Sequence, residues 1–243
     1  MKETMALEIF GRAKAVLKNN HFVYTSGRHG DQYLNKDALY LYPQAVSQLC
    51  LALAEHFKDE NVEVVVAPAI GGVILTTWVA YHLSITHCRD ILSTYAERDE
   101  VSVGKAEGHN VALSVWGKTA HIHEGEELVI RRPAFVIKRG YGEIIKGKRV
   151  LVLEDVLTTG GSVRKVVEAT RAARGEVVGV GALVNRGNIT AKDLGDVPRL
   201  EALVNITLDS WLEDECPLCK EGVPVNTEVG KGRDFLARKA LPG

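Results

Sequence analysis

The stretch Arg149-Val150-Leu151-Val152-Leu153-Glu154-Asp155-Val156-Leu157-Thr158-Thr159-Gly160-Gly161-Ser162-Val163 decides the fold. It opens on a continuous apolar run, which marks a strand covered on both faces. Two adjacent carboxylates, Glu154 and Asp155, come next, then a Thr-Thr-Gly-Gly-Ser turn, then a helix from Ser162. Ligands of open α/β sheets sit beyond the carboxyl ends of the strands, so this corner is a candidate site. Glycines let a backbone approach a ligand closely. The first amides of the helix, with the hydroxyls of Thr158, Thr159 and Ser162, form a phosphate cradle. Carboxylates do not bind phosphate, but Glu154 and Asp155 suit the vicinal hydroxyls of a ribose. Together they describe a ribose 5-phosphate site. A strand ending in two solvated acids before a capped helix is the plainer alternative. It leaves unexplained why acids, hydroxyls and glycines fall consecutively on one corner.

Working outward, the same alternation recurs. Val62–Ala67 reads as a buried strand, broken by Pro68-Ala69-Ile70-Gly71-Gly72 and followed by a helix to about Leu83. Ile91–Tyr95, Val177–Val184 and Leu200–Ile206 read as further strands, and Gly175 stands where a glycine C-cap would end the helix from Ser162. Strands alternating with helices imply a mostly parallel sheet with right-handed crossovers. Ahead of it, Thr4 can cap a first helix carrying Leu7, Phe10, Ala13, Val16 and Leu17 on one stripe. Phe22–Asn35 reads as strand, turn, strand. Pro43 opens a helix with Val46, Leu49, Cys50, Leu53 and Phe57 at helical spacing. Residues 101–133 interrupt the rhythm with β-like runs, Val111–Trp116 and Leu128–Arg131, punctuated by Gly108, Gly117 and Gly125. They predict an inserted antiparallel flap peripheral to the phosphate site.

Bulk properties narrow the function. The 243 residues carry 30 basic and 31 acidic side chains, a formal net charge of -1. Nucleic-acid and anionic-membrane binders show a basic excess, so neither partner is expected. No apolar run approaches the ~18 residues of a membrane span. The N-terminus lacks a signal-peptide core, so a cytoplasmic location with reduced thiols is expected.

Competing motifs are weaker. Gly142-Glu-Ile-Ile-Lys-Gly147-Lys148 matches the start of a P-loop, but Arg149 stands where Ser or Thr is needed, and a strand follows rather than precedes it. No Gly-x-Gly-x-x-Gly follows a predicted strand. His121-x-His123 with Glu124 offers metal ligands, although a solvated flap explains it more simply. Cys216-x-x-Cys219 is half of a zinc site. The sequence has no second such pair, and Cys50, Cys88 and His87 are the residues considered for completing it; no structural metal is the simpler expectation.

Leu153–Ser162 resembles the phosphoribosyl pyrophosphate (PRPP) signature of type I phosphoribosyltransferases. Three more segments resemble the orotate branch of that family: Phe22 through Thr25-Ser26-Gly27-Arg28 to Tyr33-Leu34-Asn35, Ala67–Gly72, and the tail Cys216–Pro224. Together they cover most of the chain outside residues 101–133. Two departures stand out: Gly71, where many members carry a basic residue, and the insertion, which separates Glu97-Arg98 from Lys138-Arg139-Gly140-Tyr141.

The resemblance implies an α/β type I phosphoribosyltransferase fold: one domain spanning 1–243, with an N-terminal hood at about 1–40 and an inserted β flap at about 101–133. It implies transfer of ribose 5-phosphate from PRPP to orotate, with Mg²⁺ held mainly by PRPP oxygens and no protein metal ligand. It also implies a homodimer with shared active sites. PRPP would lie on Arg98, on Gly71 and Gly72, on Glu154, Asp155, Val156 and Leu157, and on Thr158, Thr159, Gly160, Gly161 and Ser162. The catalytic residues implied are Asp155, Glu154, Lys138 and Arg139, the two cations meeting the departing pyrophosphate. Orotate would lie on Thr158, Arg186, Tyr33 and Leu34, with Arg186 clamping its carboxylate. The plainer readings are a surface ion pair for Arg186 and solvated loop charge for Arg98, Lys138 and Arg139. The alternatives are a phosphoribosyltransferase for another base and a PRPP-sensing regulator that does not catalyse. A DNA-binding regulator would add a basic helix-turn-helix, and none is seen.

Overall fold

The computed structural model describes residues 3–24, 26–105, 111–115, 118–122 and 127–240, with side chains described outside 101–131. Its centre is a six-stranded sheet. In spatial order the strands are Leu200–Asn205, Glu176–Asn185, Arg149–Leu157, Val64–Pro68, Leu92–Lys105 and Glu127–Val136. All neighbours run parallel except the last pair.

The sheet is buried on both sides because its strands are apolar at odd and even positions alike. Leu151 and Leu153 join a core cluster with Leu49, Leu53, Phe57, Leu75 and Val79. Val150 and Val152 join another with Val163, Val166 and Val167. The first group comes from the helices Pro43–Phe57 and Gly71–His87, the second from the helix Gly161–Ala172. This parity carries past the apolar run, so Asp155 faces the side of Leu151 and Leu153, and Glu154 faces the other. The acids lie within the strand, which continues to Leu157, and not beyond its end as their polarity suggested.

Local differences from expectation have physical causes. The first helix spans Glu3–Arg12 and buries Ala6, Ile9 and Phe10, while Leu7 is exposed. Lys14 takes a left-handed φ of 51°, which stops the helix, and Val16–Leu17 pair antiparallel with Tyr33–Leu34 instead of extending its stripe. The helix Gly71–His87 runs a turn beyond Leu83. Gly175 is not the left-handed C-cap; Arg174 takes that conformation at φ 62°. A side chain at Gly175 would instead collide with Ile145, Thr170 and Val150. Lys146-Gly147-Lys148 is a turn into the strand Arg149–Leu157, with Gly147 at φ 70°, and not a phosphate loop.

The insertion is built on the sheet itself. Leu92–Lys105 runs far beyond Tyr95 and pairs antiparallel with Glu127–Val136. Val111–Val115 and Lys118–Ile122 form an antiparallel pair of their own. His123 and Glu124 lie outside the described residues, and so does the side chain of His121. Among the described residues no helix is long and apolar enough to cross a membrane.

Candidate active site

Asp155 is buried and hydrogen-bonded. Its Oδ2 accepts from Lys36 Nζ at 2.5 Å and from Tyr40 Oη at 3.2 Å, and its Oδ1 accepts from the Val156 amide at 2.7 Å. Tyr40 Oη also lies 2.8 Å from the Gly71 carbonyl. The loop after Val64–Pro68 is thereby knitted to the acid pair. A Cβ at Gly71 would run into Asp155 Oδ2 and Lys36 Nζ, so any larger residue here requires those side-chain ends to shift. The Lys36 ammonium occupies the space that a side chain at Gly71 would enter.

Burial works against the Lys36 ammonium, yet the Asp155 carboxylate beside it wins and lifts its pKa above the ordinary lysine value. Glu154 is 9% exposed. Desolvation, then the charge of Asp155, pushes its pKa up to about 8. Near neutrality Glu154 therefore offers a proton as well as lone pairs to a ligand hydroxyl. The raised value has a stability consequence. An unfolded glutamic acid ionises near 4.5, so the contribution of the neutral form is full below that pH. It is lost as pH rises toward about 8. In calorimetric scans without ligand, wild type should lose more thermal stability between those limits than Glu154→Gln. Each kcal/mol corresponds to ~2–4 °C at this chain length. Parallel pH profiles for the two proteins would remove the assigned desolvation.

After Leu157 the chain turns through Thr158 and Thr159, both exposed, to Gly160, which sits at φ 69° as the N-cap of the helix Gly161–Ala172. The start of this twelve-residue helix lies at the carboxyl edge of the sheet, with Ser162 exposed in its first turn. This is the geometry expected of a phosphate cradle.

The neighbouring strand ends at Asn185, and the Arg186 amide donates to the Leu157 carbonyl at 2.8 Å. This bond places Arg186 beside the acid pair. Its guanidinium lies over the Tyr24 ring, 4.7 Å from the centroid. It has no carboxylate partner among the described residues, so the surface ion-pair alternative fails for them. Tyr24 stacks near Tyr33 and donates its hydroxyl to the Gln32 carbonyl. Tyr24, Tyr33, Leu34, Lys36, Asp155, Thr158 and Arg186 share one cleft of about 230 Å³. Its lining sets two tyrosines beside two cations, Lys36 and Arg186, and two acids, Asp37 and Asp155.

Arg98, Lys138 and Arg139 form a separate group on the same edge of the sheet, and none of them lines this cleft. Lys138 Nζ and Arg139 Nη2 lie 3.9 and 3.0 Å from the two oxygens of Glu97, and Arg98 rests against Phe135. Glu97 adjoins Ala96, whose carbonyl accepts from the Ala69 amide at 2.8 Å, so the group borders the Pro68–Gly72 loop. Arg28, also basic and close in sequence to the cleft residues, is occupied with Ser210. Sequence reasoning missed Lys36, Tyr40 and Tyr24. The available signal was the segment ending at Tyr33-Leu34-Asn35, one residue short of Lys36.

Residues 37–215 match the family model for the phosphoribosyl transferase domain. The chain is 36% identical over 225 residues to an orotate phosphoribosyltransferase of Caldanaerobacter subterraneus, covering 93% of this chain and 96% of that one. An orotate phosphoribosyltransferase of Desulforamulus reducens is 34% identical over 92% of this chain and 95% of its own. Among solved structures, the orotate phosphoribosyltransferase of Mycobacterium tuberculosis superposes with a TM-score of 0.56 at 20% identity, covering 84% of this chain and 95% of that one. That of Aeropyrum pernix superposes with a TM-score of 0.52 at 22% identity, covering 83% and 94%.

Proposed function

The chain belongs to the phosphoribosyltransferase family, in its orotate branch, and from that premise we propose how its residues divide the work. The enzyme transfers ribose 5-phosphate from PRPP to orotate, giving orotidine 5′-monophosphate and pyrophosphate. The observation that carries the division is the cleft shared by Asp155, Thr158 and Arg186, whose guanidinium has no carboxylate partner among the described residues.

Glu154 and Asp155 hold the ribose hydroxyls, with Val156 and Leu157 as the adjoining backbone. Thr158, Thr159, Gly160, Gly161 and Ser162 hold the 5′-phosphate. The loop that carries Gly71 and Gly72 receives the pyrophosphate, with the Lys36 ammonium beside it on Asp155. Tyr33, Leu34, Thr158 and Arg186 hold orotate, and Tyr24 supports Arg186 from below. Arg98, Lys138 and Arg139 meet the departing pyrophosphate, from the same subunit or across a homodimer. Orienting two reactants and neutralising charge at the leaving oxygen supply most of the acceleration, as bond breaking at the anomeric carbon runs ahead of bond making.

Mg²⁺ fits here as an ion carried on PRPP. Lys36 already balances the charge of Asp155, and burial keeps Glu154 largely protonated near neutrality, so the pair offers little net charge to a cation while its oxygens can still share hydrogen bonds with hydroxyls. When bound, the ion neutralises pyrophosphate oxygens, and it needs few protein ligands there. The whole of 1–243 is taken as one cytoplasmic domain with its hood at about 1–40. Pyrophosphate release should be observed when PRPP is mixed with orotate and Mg²⁺, and not with uracil, hypoxanthine or adenine in its place. Equal release with a purine would overturn the orotate cleft.

A further inference from the structure

The tail motif Cys216-x-x-Cys219 does find partners, and they are neither Cys50, buried in the helix Pro43–Phe57, nor His87 and Cys88, at the end of the helix Gly71–His87. They are His21 and His29, on the two arms of the hairpin that carries Tyr24. His21 Nε2 and His29 Nδ1 lie 2.8 Å apart. Cys219 Sγ lies 3.7 Å from His21 Nε2 and 3.3 Å from His29 Nδ1, and Cys216 Sγ lies 3.7 Å from His21 Nε2. One ligand atom from each residue falls within 4.8 Å of all the others.

We propose that His21, His29, Cys216 and Cys219 hold a structural zinc(II) ion that fastens the C-terminal tail to the hood hairpin. Tetrahedral zinc with Zn–S of ~2.3 Å and Zn–N of ~2.0–2.1 Å sets sulfur and nitrogen ~3.6 Å apart and nitrogens ~3.3 Å apart. The cluster already matches the first spacing closely, and a shift of about half an ångström brings the two imidazoles to the second.

The donor set selects the ion. Two thiolates balance the charge of one divalent cation, and two neutral imidazoles complete four ligands without leaving net charge in a buried site. No oxygen ligand contributes, which excludes Mg²⁺ and Ca²⁺. Convergence of all four atoms on one point suits a single ion, whereas a two-iron cluster splits its histidines and cysteines between two metals. With all four positions taken by protein, the site is structural and not catalytic.

The surroundings orient the ligands. His21 Nδ1 lies 2.8 Å from the Val223 carbonyl, and as donor it leaves the lone pair on Nε2, facing the sulfurs. The His29 ring is held by packing, edge-on to Phe235 at 4.8 Å, and its Nε2 has no hydrogen-bond partner among the described residues. Besides the His21–Val223 contact, the four groups face one another through one contact between imidazoles and the weak hydrogen bonds of thiols. Nearby contacts tie the same two segments together: His29 pairs with Trp211, and His21 bridges to Val225.

The test uses the untagged full-length chain, expressed with zinc in the medium and purified under reducing conditions without chelator. Elemental analysis should find about one zinc per chain in wild type and in the control Cys88→Ser, whose thiol is exposed and is not one of the four clustered ligands. Cys219→Ser and His29→Ala should lose it by more than tenfold. Because a variant can fail to fold, wild type carries an independent measurement. Stripped of metal and given Co²⁺, it should develop the visible bands of tetrahedral cobalt and a thiolate charge-transfer band. Wild type that holds no zinc and shows no such bands would overturn the site. So would Cys219→Ser retaining its full equivalent, or a Cys216–Cys219 disulfide in freshly isolated protein.

Discussion

Asp155→Asn should lower kcat/KM for PRPP by about 10²-fold or more while the protein stays folded. Hydrogen bonds to a charged acceptor contribute ~1.5–3 kcal/mol each, and each ~1.4 kcal/mol is a factor of ten. An amide keeps the shape of the side chain but loses the charge that strengthens bonds to two ribose hydroxyls. It also loosens Lys36, whose ammonium lies 2.5 Å from Asp155 Oδ2. The fold should survive, because the Lys36 side chain is 38% exposed and water can take up the freed ammonium. Steady-state kinetics with thermal unfolding of the same preparation checks both halves. A folded variant with wild-type turnover would remove Asp155 from the reaction.

Much of this was legible because it is local. One strand, one turn and one helix carry the acids, the hydroxyls and the glycines, and consecutive residues cannot be moved apart by folding. The flanking strands were legible for a related reason: strands buried on both faces are apolar at every position. What was not legible depends on contacts between distant residues. Lys36 meets Asp155 across 119 positions, and no periodicity near Lys36 announces it. Cys219 meets His21 across 198 positions, so the cysteine pair looked like half a site with its complement missing. Where local signals misled, a tertiary contact had won. Val16 and Leu17 fit the stripe of the first helix, yet they gain more by pairing with Leu34 and Tyr33. Gly175 looked like a cap, and is small because Ile145, Thr170 and Val150 crowd it. The strand after Ile91 looked short because its continuation leaves the buried sheet for the insertion, where the apolar pattern no longer applies.

Arg186→Ala should lower kcat/KM for orotate by ~2–5 kcal/mol, the cost of removing one member of a desolvated charge pair. PRPP affinity should stay nearly unchanged, because the acid pair and the phosphate turn lie on the neighbouring strand and its following loop. The geometry sharpens this expectation. The Arg186 backbone is fixed by the hydrogen bond its N–H donates to the Leu157 carbonyl, and its guanidinium lies over the Tyr24 ring, so its fork is oriented before the base arrives. It meets no carboxylate among the described residues, so orotate supplies the anion the site lacks. Uracil has the same ring without that carboxylate and would leave the guanidinium desolvated and unpaired. A site built around such a contact can discriminate by ~10⁴ or more. Lysine at this position should rescue only in part, because an ammonium neither forms the planar bidentate fork nor stacks as well on Tyr24. Kinetics with orotate and uracil for wild type, Arg186→Ala and Arg186→Lys decide the matter. Wild type that uses uracil as well as orotate would show that no carboxylate clamp operates. An unchanged orotate efficiency in Arg186→Ala would move the clamp to another cation. Arg28 is then a poor successor, being held by Ser210, and Lys36 is the other cation that lines the cleft.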